Sequence, residues 1–461
     1  MNNITSVKLM KFSLPILVLV PIIVFFPTFS NDFQRGWDDN WMLLESPFVL
    51  SHQWDYILSN FMDFCDVHYS PVNTLFYILI YELFGFNPVA FHTFFLVLHI
   101  VNVVLVYYIV QNIIQTAKPQ FSIVRLQRYG FFVALIFAIH PLQVESIAWI
   151  SASKVVIYTF FMLTAMWCYM QYIKGGKLGW LFAIAILYLL CYGAKEQGII
   201  LPLNLVLLDY LYGRKYFHHP VNPVNGFKAK LKVMLTALKK RVLLEKIPFF
   251  LMGLGFWYFS SLYEVGNFVI PNYCHPLYQR LFFSMHCIIE YIFRTIAPVK
   301  LFFYYFFPMK VGEKLPLFYW SYLILILIIA WFIWSNYRKK LVLFGFLFFL
   351  VNILLVLHLM PMPRNFITAD RYMYLSIIGL ALTGAWYIDE FFSKYVRYQK
   401  NFTALGICYI LALGAQSCKR TQEWKNSSTM KQNIRELVEK RKAKKQAVPY
   451  NPLKHLSTKP D

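Results

Sequence analysis

Ionisable side chains beside a bilayer are costly unless water or a polar cavity receives them, so charges at the ends of apolar segments are the first candidates for chemistry. Asp38 and Asp39 stand in Asn31-Asp-Phe-Gln-Arg-Gly-Trp-Asp-Asp-Asn-Trp41, directly after the first apolar run. His140 and Glu145 stand in His140-Pro-Leu-Gln-Val-Glu145, with Lys154 nine residues further on. Lys195 and Glu196 precede Gln197, and Asp370 and Arg371 lie in Thr368-Ala-Asp-Arg-Tyr372. Carboxylates and fixed cations gathered at one membrane face suit group transfer from a membrane-anchored phosphate donor. A carboxylate takes a proton from an acceptor hydroxyl, and the cations stabilise charge building on the departing phosphate. Arg371 is the first phosphate candidate because a guanidinium offers a bidentate fork; Lys195 is the second. Either aspartate suits the base, and neighbouring carboxylates usually divide roles. Taken singly, each residue also fits a snorkelling helix end or a buried ion pair. The expectation rests on the set.

Other polar residues are assigned less. His92, His99 and Asn102 share one face of a long apolar segment and are read as a polar seam between helices. His68 and His140, with Asp66 or Glu145, are the candidates for metal ligation, but no H-E-x-x-H or similar spacing exists. No metal site or cofactor is assigned, and a divalent cation stays open. Asp209 is read as structural. Neither a G-x-x-x-x-G-K-[ST] loop nor a Rossmann glycine fingerprint occurs, so a nucleotide donor is not indicated. The seven cysteines form no C-x-x-C and indicate neither zinc nor a disulfide framework.

The elements that must position these residues follow from composition. Of 461 residues, 59% are hydrophobic, 19% aromatic and only 14% charged. Repeated apolar runs long enough for a hydrocarbon core of about 30 Å predict an all-α polytopic membrane protein. The net charge of +22 is accounted for by cytoplasmic loops and anionic headgroups, not by nucleic acid. Spans are expected at 12–29, 89–114, 129–142, 153–173, 178–194, 198–212, 247–264, 317–336, 341–359, 373–391 and 402–417, about 11 in all. The first is read as a retained helix, since no small-residue cleavage site follows it. Lys8 and Lys11 place the N-terminus inside.

The acidic outer loop 30–70 carries seven acids against Arg35 and is expected to hold short interfacial helices; the helix starting at Pro71 is assigned to the interface too. The basic loop 213–246, with nine Lys/Arg, is the largest inside loop. Segment 279–297 is read as re-entrant or interfacial, because a crossing there would send Arg338-Lys-Lys340 outside. Half of the 44 basic residues then fall in the six inside segments. Lys419 and Arg420, directly after the last span, resist the pattern. Residues 1–417 are taken as the membrane domain and 418–461 as a short basic tail.

Together, W-D-D after the first span, F-x-P-V-A-F-H-x(6)-H, F-A-I-H-P-L-Q-V-E-S-I-A-W-I-S-A-S-K, A-K-E-Q-G-I-I-L-P and A-D-R-Y-M-Y-L-S-I-I-G-L carry a family signature. It resembles the transmembrane-and-TPR-repeat O-mannosyltransferases, and more closely their bacterial relatives. Arg294-Thr-Ile-Ala-Pro298 through Pro308 resembles the short helix and loop those proteins carry on their outer side. The similarity runs from about 30 to 430. H-P-x-x-x-E-S-x-A-W and A-D-R-Y-M-Y are specific motifs; W-D-D alone is not. The resemblance implies a C-type glycosyltransferase fold, inverting transfer from a polyprenyl-phosphate-linked sugar, and hydroxyl acceptors on proteins. It matches Asp38 or Asp39 to the catalytic acidic pair, and Glu145, Lys195 and Arg371 to cavity positions. Ser70 stands where relatives often have Arg, and the repeat array is expected to be missing, because the sequence stops soon after Trp424.

The expected function is therefore an integral-membrane glycosyltransferase of the bacterial inner membrane, acting at the periplasmic face on a protein or glycan acceptor. A transferase or polymerase moving a whole lipid-linked glycan shares the same cavity. A lipid or solute transporter predicts inverted repeats with broken helices at the midplane, and no such symmetry is visible.

Overall fold

Hydrocarbon offers no water to unpaired backbone groups, so apolar segments must close their hydrogen bonds internally as helices. The computed structural model describes residues 12–51, 54–62, 69–214, 240–267, 275–360 and 366–443. Among the described residues, seven helical segments are long and apolar enough to cross a membrane: Ser13–Ser30, Pro88–Ala117, Ile150–Gly175, Val242–Ser261, Leu317–Ser335, Asp370–Lys394 and Val396–Glu423. Ile123–Ile139 and Pro141–Ala148, bent by 52°, add an eighth if taken as one broken span. Pro71–Phe84, Gly179–Ala194 and Lys340–Val356 are shorter apolar helices. The chain is a multi-pass membrane protein. Of the segments expected to cross, 198–212 is the shortest in fact: a turn over Glu196–Ile200, then the 11-residue helix Leu201–Leu211, which rises only about 16 Å. Lys8, Lys11, Asp63, Asp66, His68, most of the basic loop 213–246 and the tail beyond 443 lie outside the described residues.

A polar seam holds together the helices that end at the candidate residues. His99 Nδ1 meets the Tyr374 hydroxyl at 2.7 Å, and its Nε2 meets the Ala138 carbonyl at 3.0 Å. Asn102 donates to the Val156 carbonyl at 3.0 Å. Pro88–Ala117 is thus tied to the helices just before His140, just after Lys154 and just after Arg371. Small residues tighten the far side. A Cβ on Gly345 would sit 2.6 Å from the Gly379 carbonyl, so the helices Lys340–Ile353 and Met373–Lys394 meet backbone to backbone.

The helix Leu277–Ile296 is not one of the long apolar segments. Its buried residues Gln279, Phe283, Cys287, Tyr291 and Arg294 recur every three or four positions, and Tyr278, Leu281, Phe293 and Ile296 are exposed. One face packs inward, the geometry of an amphipathic helix. After it, Tyr305–Phe306 pairs antiparallel with Phe366–Thr368, bringing this segment beside Asp370.

The last long helix runs from Gln399 to Glu423, and Arg420, Thr421, Trp424, Met430 and Ile434 are all buried. Lys419 and Arg420 end the apolar run in the sequence, which hid the continuation. Arg420 is neutralised inside the fold by Asp370 at 2.6 Å, so it is not a free charge of the kind that sets loop orientation.

Candidate active site

The loop after the first span is fastened to the end of the last long helix. Asp32 N–H donates to the Lys425 carbonyl at 2.8 Å, Gln34 Nε2 to the Trp424 carbonyl at 2.7 Å, and Asn31 Nδ2 to the Thr421 carbonyl at 3.1 Å. Gly36 then takes a left-handed φ of +71°, a conformation that costs glycine little, and the chain turns so that Asp38 and Asp39 enter the interior.

The two aspartates have different surroundings. Asp39 is fully buried. Its Oδ2 accepts the Gln34 N–H at 2.7 Å; its Oδ1 accepts the Ser151 N–H at 2.9 Å and the Ser151 hydroxyl. Burial pushes its carboxyl up to about 6 against these three donors, which favour the charged form. Asp38 is half-buried. Burial raises its carboxyl above the ordinary value, while the charges of Lys154 and Arg371 and a hydrogen bond from Trp41 oppose the rise. Asp39 is spent on loop geometry; Asp38 lies within electrostatic reach of Lys154 and Arg371.

Arg371 and Glu145 form a close pair. The Arg371 backbone N–H donates to Glu145 Oε2 at 2.8 Å, and its Nη1 pairs with Glu145 Oε1. The guanidinium also lies over the rings of Trp149 at 5.4 Å, Phe366 at 5.2 Å and Tyr372 at 5.3 Å, a desolvated aromatic cage for a cation. Its side chain keeps 17% exposure. Glu145 sits here because the chain breaks at His140-Pro141. There the His140 Nδ1 accepts the Leu142 N–H at 3.2 Å, and Nε2 meets the Thr295 carbonyl at 3.0 Å. Both ring nitrogens are used, which makes His140 a support of the turn rather than a ligand-facing group.

Asp370 is also internal. Its Oδ2 accepts from Arg420, and its Oδ1 accepts the Tyr305 hydroxyl at 2.8 Å. Lys195 and Glu196, both half-buried, occupy the turn after Gly179–Ala194. Gly198 closes that turn, since a Cβ there would lie 2.7 Å from the Cys191 backbone. The contacts of Tyr192 with Tyr69 and of Gly193 with Pro71 and Val72 place this turn beside the start of Pro71–Phe84, not within the Glu145–Arg371 pair.

The structure therefore gathers Asp38, Asp39, Glu145 and Arg371 with Lys154, and adds residues that sequence reasoning did not assign: Ser151, Arg294, Tyr305 and Arg420. Ser151 lies within the I-S-A-S-K stretch of the motif, and Arg294 and Tyr305 lie within the 294–308 stretch of the resemblance; Arg420 lies in neither. Trp149 stacks on Trp424 at 5.4 Å, joining the two anchored walls. Among the described residues, no group of three or more His, Cys, Asp or Glu is arranged to hold a metal ion.

Comparison with known proteins gives one informative likeness. No family model matches the chain. A protein O-mannosyl-transferase of Caenorhabditis elegans is 25% identical over 380 residues, which cover 78% of this chain and 48% of that protein. The chain thus spans about half the length of the relative it matches.

Proposed function

We propose that this protein is an integral-membrane glycosyltransferase that moves a sugar from a polyprenyl-phosphate donor to an acceptor hydroxyl. The observation that carries this reading is the division of the aspartates. One carboxylate, Asp38, lies within electrostatic reach of Lys154 and Arg371, while its neighbour is consumed in holding the loop. Asp38 then receives the acceptor hydroxyl proton as the acceptor oxygen bonds to the sugar's anomeric carbon. The bond from that carbon to the phosphate oxygen breaks, its electron pair leaves with the polyprenyl phosphate, and Arg371 stabilises that charge. A direct displacement of this kind inverts the anomeric configuration. Glu145 occupies Nη1 of Arg371, and a guanidinium has five donors, so the rest of the fork serves the phosphate.

The resemblance of the motifs and the name of the C. elegans relative support the same chemistry, with a protein Ser/Thr hydroxyl as acceptor and a C-type glycosyltransferase bundle as scaffold. The distribution of Lys and Arg supports a site at the periplasmic face of a bacterial inner membrane. Mass spectrometry of acceptor proteins in cells carrying the chain or its Asp38→Asn variant tests the reading. A single hexose lost with the variant supports it. An entire glycan lost instead assigns the protein to lipid-linked glycan transfer, and an unchanged acceptor pattern rejects the catalytic role of Asp38.

A further inference from the structure

Next to Arg371 lies a second ion cluster that the proposed chemistry leaves unused. Asp370 has no exposed surface. Arg420 donates to it at 2.6 Å, the Tyr305 hydroxyl donates at 2.8 Å, and Arg294 Nη1 lies at 3.8 Å. Arg294 also lies 3.8 Å over the Tyr305 ring and donates to Thr368 Oγ1 at 3.0 Å. One carboxylate thus joins the amphipathic helix, the short strand after it, the Asp370–Tyr372 turn and the last long helix.

Buried ion pairs of this kind are poor glue, since desolvation cancels most of the attraction and apolar packing does as well. What this cluster achieves is orientation. A carboxylate held from several directions fixes the backbone that carries it, and the next residue presents both its N–H and its guanidinium to Glu145. If the Asp370–Tyr372 turn rotated, the fork would swing with it. A misplacement of about 1 Å in such a group costs on the order of a hundredfold.

We infer that Arg420 is a positioning residue for the phosphate-binding fork of Arg371, acting through Asp370, with Tyr305 and Arg294 completing the clamp. This rests on the reading of Arg371 as the phosphate ligand. Arg420 does not itself face a donor. It is 4% exposed, and besides Asp370 it reaches Glu423 at 3.7 Å and the Phe302 carbonyl at 3.3 Å. The last long helix thereby becomes part of the site's machinery, although it supplies no group to the substrate.

The test uses the full chain in lipid nanodiscs, titrated with a polyprenyl monophosphate, the leaving group of the proposed reaction. Arg371→Gln and Arg420→Gln are each expected to weaken binding by about tenfold. The double variant is expected to bind no more weakly than Arg371→Gln alone, because Arg420 acts only through that fork. Arg420→Lys, which keeps the charge and a donor to Asp370, is expected to recover most of the affinity. If Arg371→Gln weakens binding while Arg420→Gln does not, or if the two effects multiply in the double variant, the clamp is overturned and the phosphate reading survives. If Arg371→Gln binds like the wild type, the phosphate reading falls and takes the clamp with it. Should Arg420→Gln fail to fold, Tyr305→Phe removes a single hydroxyl from Asp370. It is expected to weaken binding about threefold, and only where Arg371 is present; wild-type affinity in that variant overturns the clamp.

Discussion

Asp39 accepts the Ser151 backbone N–H at 2.9 Å across 112 residues of sequence, and this bond separates the roles of two adjacent carboxylates. It fastens the loop after the first span to the turn that precedes Lys154. Asp38, the adjacent residue, lies within electrostatic reach of Lys154 and Arg371.

Asparagine at the two positions is therefore expected to act differently. Asp38→Asn removes the proposed base and is expected to lower transfer by at least about a hundredfold, with thermal unfolding in detergent close to wild type. Asp39→Asn turns an N–H₂ group toward buried donors, costing about 1–3 kcal/mol of stability, and lowers activity mainly through the folded fraction. Unfolding curves and transfer rates measured side by side decide this. A melting loss confined to Asp38→Asn would reverse the assignment.

The pH dependence follows from burial. A base works deprotonated, and burial holds the Asp38 carboxyl above its ordinary range. Transfer should rise with pH through an apparent pKa higher than that of a free carboxylate, and fall on acidification. Asp39 contributes to stability with the opposite sense. Its folded value of about 6 exceeds the ordinary 3.8, so its contribution is fully present below the ordinary value and is lost as pH rises through about 6. Melting temperatures of the wild type and Asp39→Asn across that window should therefore differ in slope. Parallel curves would remove Asp39 as the source.

Glu145→Gln is expected to be among the more damaging single changes. Glu145 is 4% exposed at its side chain and holds both the N–H and the Nη1 of Arg371. Breaking a buried pair from one side costs about 3 kcal/mol or more, because the remaining charge is stranded. Unfolding in detergent measures the loss. Glu145→Asp, one methylene shorter, should regain only part of it, since one carboxylate must span two donors of the same residue.

The candidates visible in the sequence were those whose charge is costly beside a membrane: Asp38, Asp39, Glu145 and Arg371 stood out by type and position. Their partners did not. Arg294 reads as a cation on an amphipathic helix, Tyr305 as one more aromatic residue, and Arg420 as the first charge of a tail. Each gains its role from a contact across 50 residues or more, such as Arg420 with Asp370 and Tyr305 with Asp370, which no local pattern encodes. The division between Asp38 and Asp39 was equally hidden, because it depends on where Ser151 lies. Apolar length showed most of the long helices; it drew 198–212 longer than the helix Leu201–Leu211 found there, and it missed the stretch past Cys418, which charge interrupts.

Two glycines on one helix offer a matched comparison. A Cβ on Gly379 would lie 2.8 Å from the Phe349 backbone nitrogen, whereas one on Gly384 meets nothing within 4 Å. Both lie in Met373–Lys394, the helix that follows the Arg371 turn. Gly379→Ala must push Lys340–Ile353 away, at a cost of about 1–3 kcal/mol, and it shifts the helix that directly follows the turn carrying the fork. Gly384→Ala relieves backbone entropy without a clash and should stabilise by up to about 1 kcal/mol. Thermal unfolding of the two variants, with polyprenyl phosphate titrations alongside, checks both parts. Gly379→Ala should lose stability and affinity together, while Gly384→Ala keeps affinity. Equal behaviour of the two variants would show that close approach at Gly345 and Gly379 does not set the position of the Asp370–Tyr372 turn.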